Sequence, residues 1–211
     1  GSLMLFNVIY PNVCGICEKN IKTKTYACEK CLNILKCYRE KYISKCNSSG
    51  CDEIISLYAY VGNIRKQICK FKFREGKYIG KTFAYLLSQR VKEIDFDYII
   101  PVPISLKRLM ERGFNQSKII TDEMSKMLTK KSLNNVLIKS KNNKRQSELH
   151  EKDRKSNVLG AYKVKNEKTI REKVILLIDD VYTTGSTLNE CARTLKRAGA
   201  KKVIAVTVAY A

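Results

Sequence analysis

The sequence predicts an α/β protein with a doubly wound, mostly parallel sheet, preceded by a small cysteine-rich segment. Residues 174–178 form an apolar run that is β-branched at positions 174, 175 and 178, as is typical of a strand buried on both faces. A second apolar run, 97–103, ends in Pro-Val-Pro. Two C-x-x-C pairs lie between residues 14 and 31. The two runs indicate the sheet, and the cysteines indicate a separate kind of structure before it.

The length of 211 residues allows one sizeable α/β core with a small appendage. We expect the appendage to comprise residues 1–53, with residues 1–3 a remnant of an expression tag, and the α/β domain to comprise residues 54–211. No run of about 18 apolar residues and no signal-like leader are present. The sequence therefore predicts a cytoplasmic protein without a membrane span.

The charge is strongly positive, with 41 Lys and Arg against 20 Asp and Glu, a formal net charge of +21. Such an excess favours polyanionic partners such as nucleic acids. The cations are mostly lysines spread along the chain, so a lysine-rich coding bias is an alternative explanation.

The N-terminal cysteines have the spacing of a metal site. Each C-x-x-C pair can direct two thiolates to one tetrahedral ion, and two pairs complete a structural Cys₄ zinc site. The predicted ligands are Cys14, Cys17, Cys28 and Cys31. A redox function would require a thioredoxin-like βαβ context, which this segment lacks. The other three cysteines of this region allow a second metal site or small core residues: Cys37, Cys46 and Cys51.

A strand is predicted for residues 54–61, followed by a helix that ends at Gly76. Phe71 and Phe73 alternate with lysines at the end of this helix. The aromatic rings could stack on the bases of single-stranded nucleic acid while the lysines neutralise its phosphates. Equally, the two aromatics could belong to the core and the lysines to a solvated face. The candidate nucleic-acid contacts here are Arg65, Lys70, Lys72 and Arg74.

The predicted helix 77–91 and buried strand 97–103 lead to a second cationic segment. Lys107, Arg108 and Arg112 precede Gly113 at the C-terminal end of the strand, where open α/β sheets bind ligands. Pyrophosphate or a phosphodiester backbone would suit these cations.

Residues 130–155 carry many charges and no period of a strand or helix, so we expect a mobile, lid-like loop. Arg145 and Arg154 are candidate pyrophosphate or DNA contacts. His150, the single histidine, is either a general base or a solvated side chain.

The strand at 174–178 leads into two acids, a hydroxyl-rich turn and an amphipathic helix. The free N–H groups of a helix N-terminus favour a phosphate group. Asp179 and Asp180 can accept hydrogen bonds from the vicinal hydroxyls of a ribose whose 5-phosphate lies in the turn. An ordinary N-capped turn is the alternative. The predicted phosphate-binding residues of the turn are Thr183, Thr184, Gly185, Ser186 and Thr187. A last strand is predicted for residues 203–208.

Residues 175–187 resemble the PRPP-binding signature of type I phosphoribosyltransferases: apolar residues, two acids, an apolar residue, any residue, then Thr-Thr-Gly-x-Ser/Thr. Neither a Walker loop nor a G-x-G-x-x-G fingerprint is present. The resemblance implies a type I phosphoribosyltransferase-like fold that binds PRPP with Mg²⁺. If the protein is a glycosyltransferase using PRPP, the implied catalytic residues are Asp179, Asp180, Lys107 and Arg112.

Further motifs resemble the ComF/ComFC competence family over nearly the whole chain. They are Tyr60-x-Gly62-x-Ile64-Arg65, Phe71-Lys72-Phe73, Pro101-Val102-Pro103, Glu111-Arg112-Gly113-Phe114-Asn115-Gln116 and Asn157-Val158-x-Gly160-Ala161. The family's lid pattern, Arg-x-Thr-x-x-Gln-x-x-Leu, is changed to Lys141-x-Asn143-x-x-Gln146-x-x-Leu149, with Lys141 as a candidate nucleic-acid contact.

The second resemblance implies a zinc finger before a phosphoribosyltransferase-like domain, and a cytoplasmic role in natural transformation. Its implied partners are PRPP, single-stranded DNA and the DNA-uptake and recombination machinery. A nucleotide-salvage phosphoribosyltransferase with an unknown acceptor is the alternative, although no segment besides the cysteine-rich one offers a hood to read a base. A PRPP-sensing regulator is the least favoured hypothesis, because nothing resembles a helix-turn-helix.

Overall fold

The computed structural model describes residues 13–21, 26–37, 42–45, 50–73, 76–140 and 160–211. The helices are α1 Glu29–Cys37, α2 Gly62–Phe71, α3 Lys77–Val91, α4 Leu106–Arg112, α5 Gln116–Leu128 and α6 Ser186–Arg197. The strands are β1 Tyr42–Lys45, β2 Glu53–Ala59, β3 Tyr98–Pro101, β4 Lys131–Ser132, β5 Leu137–Lys139, β6 Tyr162–Val164, β7 Val174–Tyr182 and β8 Lys202–Tyr210.

Six strands form one sheet in the order β1-β2-β8-β7-β3-β4, and β5 and β6 form a separate two-stranded ribbon. Only β1 pairs antiparallel in the main sheet, so the predicted mostly parallel sheet is confirmed. The non-sequential order places β7 between β3 and β8. Ligands of such sheets bind at the carboxyl ends of the central strands, and this is the edge at which β7 delivers its two acids.

Two hydrophobic cores lie on the two faces of the sheet, as a doubly wound fold requires. Alternate residues of β7 divide between them: Leu176 and Ile178 belong to the core beneath α2, α3 and α5, and Ile175 and Leu177 to the core beneath α6. All four are fully buried. A strand covered on both faces has no polar side, which explains the uninterrupted apolar run in the sequence.

The strand β7 is longer than its apolar run. We expected the acids to follow the strand, but Asp179 pairs with Thr207, and the pairing continues to Tyr182 opposite Tyr210. Backbone hydrogen bonding to β8 thus extends through polar residues that periodicity alone assigns to a turn. The two acids therefore lie on a paired strand.

The helix α2 ends at Phe71, five residues before the expected end at Gly76. Phe71 is fully buried, whereas Phe73 is 68% exposed. Phe71 therefore belongs to the core, as the second alternative predicted, whereas Phe73 lies at the surface, and its stacking on bases stays a prediction.

The predicted loop 130–155 is wrong in its first part. Residues 131–132 pair with β3 as β4, and residues 137–139 pair with β6 as β5. These strands are too short for an alternating pattern to appear in the sequence. The rest of the predicted loop, 141–155, lies outside the described residues, as does Cys46.

The cysteine-rich segment packs against the α/β domain. Its residues Cys14, Ile16 and Cys31 belong to the core that also contains α2 and α3. Strand β1, which lies before the expected boundary at residue 53, pairs with β2 at the edge of the main sheet. Cys51 is 1% exposed in the opposite core, as expected of a small core residue.

Candidate functional site: a cysteine cluster and a central cavity

The predicted cysteine ligands come together as one cluster, consisting of Cys14, Cys17, Cys28 and Cys31. Their four Sγ atoms all lie within 4.8 Å of one another. The Sγ atoms of Cys17 and Cys28 are 3.8 Å apart, which is the edge expected of a tetrahedron with metal–sulfur bonds of about 2.3 Å. The donor set and spacing therefore fit a tetrahedral metal ion.

The electrostatics of the cluster also favour a cation. Burial raises the pKa of Cys31, and the neighbouring thiols of Cys28 and Cys17 add to the rise. Burial acts in the same direction at Cys14, but backbone amides of Cys17, Cys28 and Ile16 donate to it and lower the pKa of Cys14 to about 7. Four adjacent thiolates repel one another, so full ionisation requires a positive charge among them.

Glu18 connects the cysteine cluster to the α/β domain. Its Oε1 accepts hydrogen bonds from Lys70 Nζ at 2.6 Å and from Tyr78 at 3.4 Å. Lys70 also lies 5.9 Å from the centre of the Tyr78 ring. The Lys70 ammonium lowers the pKa of Glu18, and Glu18 in turn raises the pKa of Lys70. Lys70, predicted to contact nucleic acid, is therefore engaged in a structural ion pair.

The central cavity, of about 320 Å³, lies at the carboxyl ends of β3 and β7. Its walls are the β3–α4 corner, the start of α5, the ribbon β5–β6 and the turn between β7 and α6. The described residues that line it are Lys72, Val102, Pro103, Ile104, Arg108, Arg112, Gln116, Ser117, Lys139, Tyr162, Asp179, Asp180, Val181, Thr183, Thr184, Gly185, Ser186, Thr187 and Leu188. It therefore contains every residue predicted for the ribose phosphate.

The turn after β7 exposes the N-terminus of α6 without a side-chain cap. Gly185 occupies the cap position with φ +72, and an added Cβ would lie 2.8 Å from the Tyr182 ring. Only glycine fits this position without strain. Thr184 and Ser186 hydroxyls lie 3.0 Å apart at the turn. The Ser186 N–H makes one long contact of 3.5 Å to Thr184 Oγ1, and Gly185 has no side chain that could cap the helix, so helix N–H groups are left for an anion.

The first of the two acids, Asp179, is hydrogen bonded within the protein. Asp179 Oδ1 accepts hydrogen bonds from Ser117 Oγ and from the Asp180 amide, both at 2.9 Å. Burial raises the pKa of Asp179 to about 7, the Asp180 carboxylate adds to the rise, and these two hydrogen bonds oppose it. One oxygen of Asp179 is thus held by the protein.

Four cations surround the acids: Lys72, Arg108, Arg112 and Lys139. Against two carboxylates they leave an excess of positive charge. Lys139 lies 5.5 Å from the centre of the Tyr162 ring. Burial lowers the pKa of Lys139, and Arg108 lowers it further. An anion in the cavity would relieve this repulsion.

The structure separates the predicted cations into groups. Lys72, Arg108 and Arg112 line the cavity, whereas Lys107 is exposed on α4 and does not line it. Arg65 is exposed on α2, also away from the cavity lining. The remaining predicted contacts lie outside the described residues: Arg74, Lys141, Arg145 and Arg154. The same holds for His150, the candidate general base.

Four polar residues of the cavity lining were not predicted as functional. Gln116 and Ser117 lie in or beside the Glu111–Gln116 motif, which served only to indicate a resemblance. Lys139 seemed to belong to a basic loop, and Tyr162 lay in no recognised pattern. For Gln116 and Ser117, the available signal was the polar run Asn115–Ser117 directly after the cationic segment. For Lys139 there was no signal, because its charge does not distinguish it from the other lysines of the chain.

Comparison with known protein families identifies the type of domain that contains the cavity. Residues 111–211 match the family model of the phosphoribosyl transferase domain. This range begins in α4 and includes the acids, the uncapped turn and the last strand. Together with the sheet order and the cavity, it identifies the predicted type I phosphoribosyltransferase-like fold.

Relatives cover the cysteine cluster as well. The chain is 32% identical over 203 residues to competence protein F of Haemophilus influenzae, covering 90% of this chain and 87% of that protein. It is 27% identical over 214 residues to competence protein ComFC of Streptococcus pneumoniae, covering 96% and 90%. It is 24% identical over 200 residues to the DNA utilization protein YhgH of Escherichia coli K12, covering 90% and 87%. The chain belongs to the ComF/ComFC competence protein family, as its motifs predicted.

No helix in the described ranges has the length and apolarity needed to traverse a lipid bilayer.

Proposed function

We propose that the protein binds PRPP in the central cavity and single-stranded DNA on the adjoining basic surface, and that it acts in DNA uptake during natural transformation. A zinc ion in the cysteine cluster supports the fold. The main observation behind the proposed PRPP site is that one cavity combines two acids, a helix N-terminus whose cap residue is glycine, and four cations. In this assignment the 5-phosphate lies at the turn, the diol at the acids and the diphosphate at the cations.

The residues of the cavity suit this ligand in charge and in chemistry. A helix N-terminus and small hydroxyl groups bind a phosphate monoester. A half-buried carboxylate such as Asp180 can accept from ribose hydroxyls. The arginines offer forked donors to phosphate oxygens. Mg²⁺ fits the same place because it prefers carboxylate and phosphate oxygens, and it would neutralise diphosphate charge.

The proposal of DNA binding rests on different observations. Phe73 is 68% exposed and follows Lys72, which lines the cavity. The net charge of +21 favours a polyanion. The named competence and DNA utilization relatives support a role in handling DNA. Proteins of DNA uptake and recombination, in the cytoplasm, are the partners that we propose. Aromatic and cationic side chains side by side are the usual means of binding single strands.

A phosphoribosyltransferase of nucleotide salvage is the second candidate function. It is favoured by the match of residues 111–211 to the phosphoribosyl transferase domain. Turnover would use Asp179 and Asp180 to orient the ribose, while Arg108 and Arg112 stabilise the departing diphosphate. The first proposal does not require this reaction.

Calorimetric titration with PRPP and Mg²⁺ tests the ligand. Binding should weaken by at least about 100-fold in the double variant Asp179→Asn/Asp180→Asn, because two charge-assisted hydrogen-bond sets are lost. Thr184→Arg should abolish binding by filling the turn. Glu93→Gln, which removes an 85% exposed acid elsewhere, is the matched control. Unchanged affinity in both cavity variants would refute the PRPP site.

Titration of a labelled single-stranded oligonucleotide at several salt concentrations tests the DNA function. We expect micromolar or tighter binding that falls steeply with salt. Lys72→Ala combined with Phe73→Ala should weaken it, whereas Lys92→Ala, at a 53% exposed cation beyond α3, should not. Weak, salt-insensitive binding together with base-dependent release of pyrophosphate would favour the salvage enzyme.

A further inference from the structure

Gln116, the first residue of α5, is a cavity residue to which the proposed function assigns no task. It lines the central cavity although the residue is only 2% exposed. Its Oε1 accepts a hydrogen bond of 2.9 Å from Nη1 of Arg112. Its Nε2 has no hydrogen-bond partner within the part of the chain that the structure describes. A buried amide donor is thus left without an acceptor.

The orientation of this amide follows from its neighbour. A guanidinium offers only donors, so the amide oxygen of Gln116 must face Arg112, and the NH₂ group must face away from it. Reversing the amide would place donors against donors. Leaving a buried donor unpaired destabilises a protein, and such groups are rare unless a ligand or water completes them.

The position of Gln116 indicates which part of a ligand it would meet. The amide is hydrogen bonded to Arg112, and guanidinium groups pair with phosphate oxygens. The next residue of α5 is Ser117, whose hydroxyl donates to Asp179 Oδ1 at 2.9 Å. Gln116 therefore contacts one cation assigned to the diphosphate and adjoins in the chain the residue that holds one of the acids assigned to the diol.

We propose that Gln116 is a ligand-binding residue whose Nε2 donates a hydrogen bond to a phosphate oxygen of a sugar diphosphate. Arg112 holds the amide in this orientation and neutralises the same anionic group. This inference rests on the proposed binding of PRPP and names the side chain that distinguishes the diphosphate from other parts of the ligand. The ligand completes the unpaired donor that the ligand-free protein tolerates.

Gln116→Met is the informative variant, because methionine keeps the length of the side chain and removes both polar atoms. The full-length protein is titrated, with Mg²⁺, against PRPP, inorganic diphosphate and ribose 5-phosphate. We expect PRPP and diphosphate to bind about tenfold more weakly, as for a lost hydrogen bond to a charged acceptor. Ribose 5-phosphate, which lacks the diphosphate, should bind with unchanged affinity.

Thermal unfolding without ligand provides a readout that a structural role would move in the opposite direction. The variant removes an unpaired buried donor, and the half-buried Arg112 guanidinium that loses its acceptor can hydrogen bond to water instead, so the melting temperature should be unchanged or higher. Gln67→Met is the matched control. Gln67 is 1% exposed, and its Nε2 donates to the Ile16 carbonyl at 3.1 Å. That variant should melt at a lower temperature than the parent and bind all three ligands with the same order of affinities as the parent.

The outcomes separate this inference from the proposed function. Parental affinity of Gln116→Met for PRPP, or an equal loss for ribose 5-phosphate, overturns the inference and leaves the PRPP proposal standing. If the parent binds diphosphate but not PRPP, the PRPP proposal fails, and the diphosphate titration still decides the role of the amide. If the parent binds none of the three, both are refuted.

Discussion

The cysteine cluster takes its four thiols from residues 14–31, whereas the central cavity takes its lining from residues as far apart as Lys72 and Leu188. The first site repeats one kind of ligand at one spacing, and the second combines acids, cations, hydroxyls and backbone amides. Four adjacent thiolates need a cation to offset their repulsion, whereas the cavity is formed by strands of the main sheet that pair with one another through backbone hydrogen bonds. Removing zinc should therefore disturb the structure of the cysteine cluster, whereas removing Mg²⁺ should weaken only the binding of a ligand in the cavity.

Removing metal from the cysteine cluster should have the largest effect. A chelator should cost several kcal/mol of folding free energy, because metal binding and folding are coupled in small thiolate sites. Hydrogen exchange should show lost protection at residues 13–37 and retained protection in β7 and β8. Cys31→Ser should reproduce the effect, whereas Cys69→Ser, at an exposed thiol, should not. Parental stability after complete removal of metal would contradict the contrast between the sites.

Asp179→Asn should stabilise the ligand-free protein by about 1 to 3 kcal/mol at pH 8. Burial raises the pKa of Asp179 from 3.8 to about 7, so the folded chain holds this proton more tightly than the unfolded chain. Its contribution to the free energy of unfolding therefore decreases as the pH rises between these two values and is constant above them.

The gain should shrink towards pH 5, where the folded protein already carries the proton. Urea unfolding of parent and variant at both pH values measures this difference. Glu93→Gln provides the control for loss of an acid. A variant that is less stable than the parent at pH 8 would mean that the cavity needs its charge in order to fold.

The cysteine cluster is predictable from sequence because its ligands are close together in the chain and of one type. The two acids and the turn were predictable for a similar reason, since one continuous segment carries them. Lys139 and Ser117 were not, because each reaches the cavity only through pairing or packing with distant segments. The extension of β7 through Asp180 depends on its partner β8, which no local pattern can show.

Glu18→Gln should weaken the connection between the two regions by about 0.5 to 1 kcal/mol, since both partners are about one-third exposed. Lys70 lowers the pKa of Glu18, so the pair's contribution is present above the ordinary Glu pKa and decreases as acid titrates the folded carboxyl. Glu18 raises the pKa of Lys70, so the contribution also decreases at strongly alkaline pH.

Urea unfolding at pH 7 and pH 3 should show the difference between parent and variant only at the higher pH. Lys81→Ala, which removes an exposed cation from α3, serves as the comparison. Equal differences at both pH values would mean that the ion pair does not contribute.

Lys107→Ala should have the smallest effect, a change in PRPP affinity of less than about twofold. Its side chain is exposed and does not line the cavity, and surface charges act weakly at a distance. Arg108→Ala, one residue further along α4 and part of the cavity wall, should lose about tenfold. Equal losses in the two variants, measured by calorimetry, would place Lys107 at the ligand after all.

The pairing of β7 on both edges has a mechanical consequence. Its first residues pair with β3 and its whole length with β8, so the backbone beneath the carboxylates cannot shift without breaking rungs of the sheet. Among the described walls of the cavity, α4 has no buried residue, so we expect this wall to move more easily than β7 when the cavity adjusts to a ligand. One wall of the cavity is thus fixed by the sheet, and the wall formed by α4 is only lightly packed. Substitutions that change the rate of ligand exchange should therefore occur in α4 rather than at the acids.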